Sequence, residues 1–138
     1  MKAEETAPQP VVAIFNSSDD TVDLLRTALD AEGFHTVVGQ ISELKRGALD
    51  LVSFIEQHAP TVIVYDISPP YDQNWTFLRL VRSADSVKAR HFVITTTNKP
   101  ALERLVGETE AIEIIGKPYD LSQVVSSVRH ALDPPPAA

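Results

Sequence analysis

Cysteine is absent from this 138-residue sequence, and its absence excludes a disulfide, a thiolate metal site and a cysteine nucleophile. Long apolar runs are absent too, since none approaches the roughly 18 residues that a membrane-spanning helix needs. The first ten residues, MKAEETAPQP, lack the apolar core of a secretory signal. We therefore expect a cytoplasmic protein that does not contact a membrane.

Basic residues are few: 12 Lys and Arg stand against 19 Asp and Glu, for a formal net charge of −7. A nucleic-acid surface needs clustered basic residues, so we expect no nucleic-acid partner. Neither G-x-G-x-x-G nor a P-loop is present, which argues against a nucleotide-binding domain. No serine lies in a nucleophile-elbow pattern, and no histidine pair has metal-ligand spacing, which argues against a hydrolase.

The length and a hydrophobic content of 43% are typical of one globular domain. Two prolines and polar residues predict a disordered tail over residues 1–10. The folded domain is predicted over residues 11–133. A proline-rich tail is predicted over residues 134–138.

Short apolar runs alternate with segments of helical periodicity along the whole domain. The runs predict strands at Val11–Phe15, Phe34–Gly39, Thr61–Tyr65, His91–Thr96 and Ala111–Ile115. The periodic segments predict helices from Ser18 to Ala31, Ser42 to His58, Trp75 to Val81, Pro100 to Val106 and Asp120 to Leu132. This alternation predicts an α/β fold with one doubly wound, five-stranded parallel sheet, a flavodoxin-like (βα)5 domain of strand order 2-1-3-4-5.

Polar side chains follow four of the predicted strands. They are Asn16 and Ser17, Asp66, Thr96 and Thr97, and Lys117. Because the carboxyl ends of parallel strands meet along one edge of the sheet, we expect these side chains to lie close together. Each alone has an ordinary interpretation, as a capping Asp, a turn Thr or a surface Lys. A carboxylate, a hydroxyl and an ammonium at three strand ends together favour a functional site.

The motifs at these strand ends resemble those of the receiver domain of two-component response regulators. Asp66 and Pro70 fit the D-x-x-x-P pattern around that family's phosphoacceptor aspartate, and Lys117 with Pro118 fits its Lys-Pro motif. The resemblance implies that Asp66 accepts a phosphoryl group and that Lys117 binds the phosphoryl oxygens. It also implies that Thr97 is the switch hydroxyl and that the peptide bond before Pro118 is cis.

The sequence departs from the family at the metal site. Two acidic residues normally end the first strand and help to hold Mg²⁺, but Asn16 and Ser17 stand at those positions. Asp66 remains as a metal ligand, so we expect Mg²⁺ to bind weakly or not at all. Ile114 stands where the family often has a switch Tyr or Phe. With the acidic pair missing, we predict a direct ion pair between Asp66 and Lys117 when no metal is bound.

The resemblance leaves two functions open. The first is a receiver that accepts a phosphoryl group on Asp66 from a histidine kinase or phosphotransfer protein, with at most self-phosphorylation and autodephosphorylation as its own activity. The second is a pseudo-receiver that binds proteins and is never phosphorylated. In the family, helix four, strand five and helix five contact downstream partners or form homodimers. Here that face would comprise the last helix with Glu103, Arg104, Glu108, Glu110 and Glu113; an ordinary solvated surface is the alternative.

Overall fold

The structure is a computed structural model and describes residues 9–107, 112–117 and 119–132. Pro118, the tail predicted at 134–138 and residues 1–8 of the tail predicted at 1–10 lie outside these residues. The predicted domain boundaries therefore stay predictions. The backbone carbonyl of Pro10, which we had placed in the tail, accepts a hydrogen bond of 2.9 Å from the amide of His35.

One five-stranded sheet organises the described residues. Its strands are β1 (Val11–Asn16), β2 (His35–Gln40), β3 (Val62–Ile67), β4 (His91–Thr96) and β5 (Ile112–Gly116). They lie in the order β2-β1-β3-β4-β5, and every neighbouring pair is parallel. The predicted fold class and strand order are confirmed. The chain reverses its direction of winding between β1 and β3, where sheets of this type form a crevice at the strands' carboxyl ends.

Helices cover both faces of the sheet. They are α1 (Asp19–Ala31), α2 (Ile41–Lys45), α3 (Leu51–His58), α4 (Tyr71–Val81), α5 (Asp85–Lys88), α6 (Lys99–Val106) and α7 (Leu121–Leu132). Buried side chains of α1 and α7 pack against one face, and those of α2 through α6 pack against the other. Both faces of β3 are therefore covered, and all six of its residues are buried.

Local hydrogen bonds start the first and last helices where their sequences predict. The Ser18 side chain caps α1 by accepting a 3.3 Å bond from the Thr21 amide. The Gln123 side chain accepts a 2.9 Å bond from the Asp120 amide ahead of α7. These contacts fix the two helices that pack beneath β1 and β3.

The prediction of a single helix from Ser42 to His58 is wrong. The chain forms two helices there, α2 and α3, separated by residues 46–50. Gly47 has a φ of 80°, a left-handed conformation that ends α2 and that glycine adopts without strain. Asp50 then caps α3 by accepting a 3.2 Å bond from the Val52 amide.

Three further differences from the prediction exceed one residue. The helix predicted from Trp75 begins at Tyr71, and the connection predicted at 83–90 contains the short α5. The described residues thus hold seven helices where five were predicted. The third strand continues to Ile67, two residues further than predicted. No helix in the described ranges has the length and apolar character to cross a membrane.

Candidate functional site

Asp66 is the fifth of the six residues of β3, at the carboxyl end of the central strand. Its residue exposure is 5%. A buried carboxylate is costly unless hydrogen bonds and an opposite charge compensate for its lost hydration. Side chains of β4, β5 and the loop after β3 provide that compensation, and they define the candidate site.

Lys117 follows β5 directly and provides the opposite charge. Its ammonium nitrogen Nζ lies 2.7 Å from Oδ1 of Asp66. The backbone amide of Lys117 donates a 2.7 Å hydrogen bond to the carbonyl of Thr96, so the end of β5 is fixed to the end of β4. The ion pair that we predicted between Asp66 and Lys117 is present.

The hydroxyl that bonds the resting carboxylate comes from Thr95, which precedes the Thr96 and Thr97 that the sequence placed at this strand end. Thr95 is fully buried, and its Oγ1 donates a 2.7 Å hydrogen bond to the same Oδ1 of Asp66. Thr95 is paired with Asp66 in the register of β3 and β4, and paired residues of neighbouring strands point to the same face. Thr97 lies beyond β4, is exposed, and its hydroxyl is 2.5 Å from that of Tyr71.

Asn16 and Ser17 lie at the end of β1, as predicted. Asn16 is 3% exposed, and its Oδ1 accepts hydrogen bonds from the amides of Ser17 (2.7 Å) and Ser18 (3.0 Å). Asn16 therefore shapes the turn into α1. Ser17 is exposed and lines a cavity of about 210 Å³ that also contacts Asp66.

Two residues that the sequence did not reveal, Lys45 and Asn74, line the same cavity. The Lys45 ammonium donates a hydrogen bond to Oδ1 of Asn74. The Asn74 amide nitrogen Nδ2 donates a 2.6 Å bond to the carbonyl of Ser68. The Ser68 hydroxyl in turn donates a 3.0 Å bond to Oδ2 of Asp66. The two oxygens of Asp66 thus have different surroundings, and Lys45 lies on the Oδ2 side.

The residues around this cavity do not fit Mg²⁺, which prefers carboxylate and other oxygen ligands in octahedral geometry. Asp66 is the only carboxylate among the described residues that line it, and no group of three His, Cys, Asp or Glu suited to a metal occurs in the described part of the chain. The oxygen of Asn16 is directed to two backbone amides, and an ammonium stands on the cavity wall. This donor set favours an anion over a divalent cation.

The charge of Asp66 also acts on two tyrosines. Burial, and secondarily the charge of Asp66, raise the pKa of Tyr65 and of Tyr119 above their ordinary value. Both phenols therefore stay neutral near pH 7. Tyr119 follows β5, and the effect of Asp66 on its pKa places its phenol within electrostatic reach of the site.

The remaining predicted residues lie on the face formed by α6, β5 and α7, called here the α6–β5–α7 face. These elements are the fourth helix, the fifth strand and the fifth helix predicted from the sequence. Ile114 is partly buried and pairs with Ile94 of β4. Glu113 accepts a 2.7 Å bond from the Ser127 hydroxyl of α7. Glu103 and Arg104 are exposed on α6 and line an open groove of about 760 Å³ with Glu113 and Ile114.

Three predictions cannot be placed. Glu108 and Glu110, predicted for the α6–β5–α7 face, and Pro118, predicted to follow a cis peptide bond, lie outside the described residues. A cis peptide bond is present elsewhere, between Pro69 and Pro70 in the loop after β3.

No family model matches the sequence, and no curated protein matches it. Solved structures do match the fold. The chemotaxis protein CheY4 of Vibrio cholerae has a TM-score of 0.66 at 16% identity, covering 90% of this chain and 99% of that one. The signal receiver domain of a putative Luxo repressor protein from Vibrio parahaemolyticus has a TM-score of 0.68 at 20% identity, covering 91% of each chain. An orphan response regulator of H. pylori has a TM-score of 0.66 at 12% identity, covering 91% of this chain and 99% of that one. The chain therefore has the fold of the CheY-like receiver domains of response regulators.

Proposed function

We propose that this protein is a receiver in a two-component or phosphorelay pathway and that it accepts a phosphoryl group on Asp66. The observation that carries the proposal is the position of Asp66: its carboxylate lies near the carboxyl end of the central strand, contacts Lys117 at 2.7 Å and lines a cavity of about 210 Å³. A nucleophile, a fixed positive charge and room for a small anion are thereby combined.

In the proposed reaction a carboxylate oxygen of Asp66 attacks phosphorus. The bond from phosphorus to the donor breaks, and the donor atom keeps the electron pair. In the pathway the donor is the phosphohistidine of a histidine kinase or phosphotransfer protein. Such transfers are catalysed mainly by positioning and by neutralising the charge on the phosphoryl oxygens. Lys117 provides one such charge. Mg²⁺, which the family uses for this purpose, binds weakly or not at all, because the acidic pair is replaced by Asn16 and Ser17.

The hydroxyl roles divide between two threonines in this proposal. Thr95 holds the resting carboxylate, to which it donates a 2.7 Å bond. Thr97 keeps the switch role that its motif predicts. Once Asp66 is phosphorylated, the exposed Thr97 hydroxyl would leave the Tyr71 hydroxyl and donate a hydrogen bond to a phosphoryl oxygen.

A second candidate is a pseudo-receiver that binds partners without phosphorylation. It is favoured by the hydrogen bonding of Asp66, since both oxygens already have donors in Lys117, Thr95 and Ser68. A carboxylate satisfied in this way stabilises one conformation of the strand ends without any modification. In this case the contacts of the domain, and not its chemistry, carry the signal.

In either case the α6–β5–α7 face is the proposed contact with a downstream protein or a second copy of the chain. Exposed charges of both signs, Glu103 and Arg104, line its open groove. Sedimentation of the wild type and of Arg104→Glu tests the homodimer. A dimer that the variant loses supports this face, whereas a dimer that both proteins form equally places the interface elsewhere.

Intact-mass measurement separates the two candidates. The wild type, Asp66→Ala and Asp72→Ala are each incubated with acetyl phosphate and Mg²⁺; Asp72 is an exposed aspartate on the first turn of α4 and serves as the matched control. We expect one added phosphoryl group on the wild type and on Asp72→Ala, and none on Asp66→Ala. Equal addition of a phosphoryl group to Asp66→Ala would contradict the assignment of Asp66 as the phosphoacceptor. No addition to any of the three supports the pseudo-receiver.

A further inference from the structure

The cavity beside Asp66 carries a positive charge from an unexpected element. Lys45 ends the five-residue helix α2, and its ammonium is held at the cavity by Asn74 of α4. Asn74 is itself fixed by its 2.6 Å bond to the carbonyl of Ser68. Lys45 is an exposed residue, and its ammonium is positioned by these two successive hydrogen bonds.

This charge is not cancelled by its surroundings. Of the described residues that line the cavity, only Lys45 and Asp66 are charged. Asp66 is paired with Lys117 at 2.7 Å. The acid on the same helix as Lys45 is Glu43, which pairs with Arg46 at 3.7 Å. Within the described ranges Lys45 itself forms no ion pair, because its acceptor is the uncharged amide oxygen of Asn74. The cavity and its immediate partners thus hold one excess positive charge.

The excess charge lies on one particular side of the carboxylate. Oδ1 of Asp66 is turned to Lys117 and Thr95, whereas Oδ2 is bonded to Ser68, which lines the cavity. A group attached to Oδ2 would enter a space lined by a second ammonium, by the Ser17 and Ser68 hydroxyls and by the Asn74 amide. These are donors suited to the oxygens of a tetrahedral dianion.

We propose that this cavity is an oxyanion site that works without metal, in which Lys45 neutralises a phosphoryl group on Oδ2 of Asp66. The step needs no further reactant: with acetyl phosphate, the Oδ2–P bond forms, the P–O bond to the acetyl group breaks, and acetate leaves with the electron pair. The inference rests on the proposed function for this covalent step. The site itself can be tested without it, with free phosphate.

The first test measures phosphorylation by acetyl phosphate in EDTA and in Mg²⁺. The variants are Lys45→Met, Lys45→Arg and, as matched control, Arg46→Gln, which removes the neighbouring exposed charge that pairs with Glu43. We expect the wild type to react at similar rates in both media. Lys45→Met should be slower by about tenfold or more, and Lys45→Arg and Arg46→Gln should stay close to the wild type. A reaction that needs Mg²⁺ and ignores Lys45→Met overturns the inference and leaves the proposed function intact.

The second test decides the matter if no phosphorylation occurs. Inorganic phosphate is titrated into the 15N-labelled protein, and amide shifts of Ser17, Ser68 and Asn74 are followed by NMR. We expect saturable shifts in the wild type, tighter binding in Asp66→Asn because a negative charge is removed, and no binding in Lys45→Met. The same spectra check that each variant is folded. Absence of saturable shifts in both the wild type and Asp66→Asn, or equal binding by Lys45→Met, overturns the inference.

Discussion

The Lys117 ammonium reaches Asp66 across the width of a strand, with Nζ 2.7 Å from Oδ1 although β4 lies between β5 and β3. The intervening strand contributes Thr95, whose hydroxyl donates to the same oxygen. Side-chain exposure is 4% for Asp66 and 29% for Lys117. Three parallel strands are thus joined at their carboxyl ends through one buried carboxylate.

The first prediction concerns the loss of the opposite charge. Lys117→Met should lower the free energy of unfolding by about 2–3 kcal/mol, because removing one partner leaves a buried carboxylate without its opposite charge. Urea denaturation near pH 7 measures this change. Lys88→Met, at the exposed end of α5, is the matched control and should stay within about 0.5 kcal/mol of the wild type.

A double-mutant cycle then tests the coupling. Asp66→Asn combined with Lys117→Met should cost less than the sum of the two single variants, by about 1 kcal/mol or more. Additive losses would mean that the two side chains do not stabilise each other.

The second prediction separates the two threonines. Thr95→Val should destabilise the fold by about 1.5–3 kcal/mol, because a hydrogen bond to a buried charged group is lost. Thr97→Val, which alters an exposed side chain, should change stability by about 0.5 kcal/mol or less. Thermal and urea denaturation of both variants provide the comparison. A larger loss for Thr97→Val would contradict the assignment of the carboxylate's partner.

The third prediction concerns alkaline pH. Tyr65 and Tyr119 have pKa values raised above those of the unfolded chain, mainly by burial. The contribution of these two phenols to stability should therefore be constant below about pH 10 and fall as the pH rises beyond it, since the unfolded chain loses phenolic protons first. In Asp66→Asn the pKa of Tyr119 should fall, because the charge that helps to raise it is gone. The Cζ chemical shift of Tyr119 measures this; an unchanged titration would place the carboxylate out of its reach.

The fourth prediction concerns the close approach of β2 to β1. A Cβ added at Gly39 would lie 2.3 Å from Cε2 of Phe15, a fully buried ring. Gly39→Ala should therefore cost about 1–3 kcal/mol through overpacking. Adding Phe15→Leu should recover part of that loss if the ring is the obstacle. If the two losses in unfolding free energy simply add in the double variant, the Phe15 ring is not the obstacle.

The sheet could be predicted from the sequence because its signals are local. Five β-branched runs, helix-capping residues and the alternation of elements fix the strand order. They place Asp66 and Lys117 at the carboxyl ends of β3 and β5, on either side of β4. The choice among Thr95, Thr96 and Thr97 could not be made in this way. Three identical residues follow one another, and the register of β4 against β3 decides which hydroxyl faces the carboxylate.

Lys45 was missed for a different reason. The apolar residues from Leu44 to Ile55 keep helical spacing across the break, so periodicity alone predicts one helix. Gly47 and Asp50 were the available signals of two, as a helix end and a cap. Asn74 was missed because α4 starts four residues before the predicted Trp75, which brings an apparent loop residue onto a helix beside the cavity.

The position of Lys45 on α2 has a consequence for how such a domain can diversify. Ile41 and Leu44, each 6% exposed, pack this helix against the core, and residues 46–50 connect it to α3. Lengthening or shortening that connecting segment would displace the Lys45 ammonium while the strand order of the sheet stayed the same. The electrostatics above Asp66 are therefore adjustable through a connecting segment alone, independently of the sheet that holds the carboxylate.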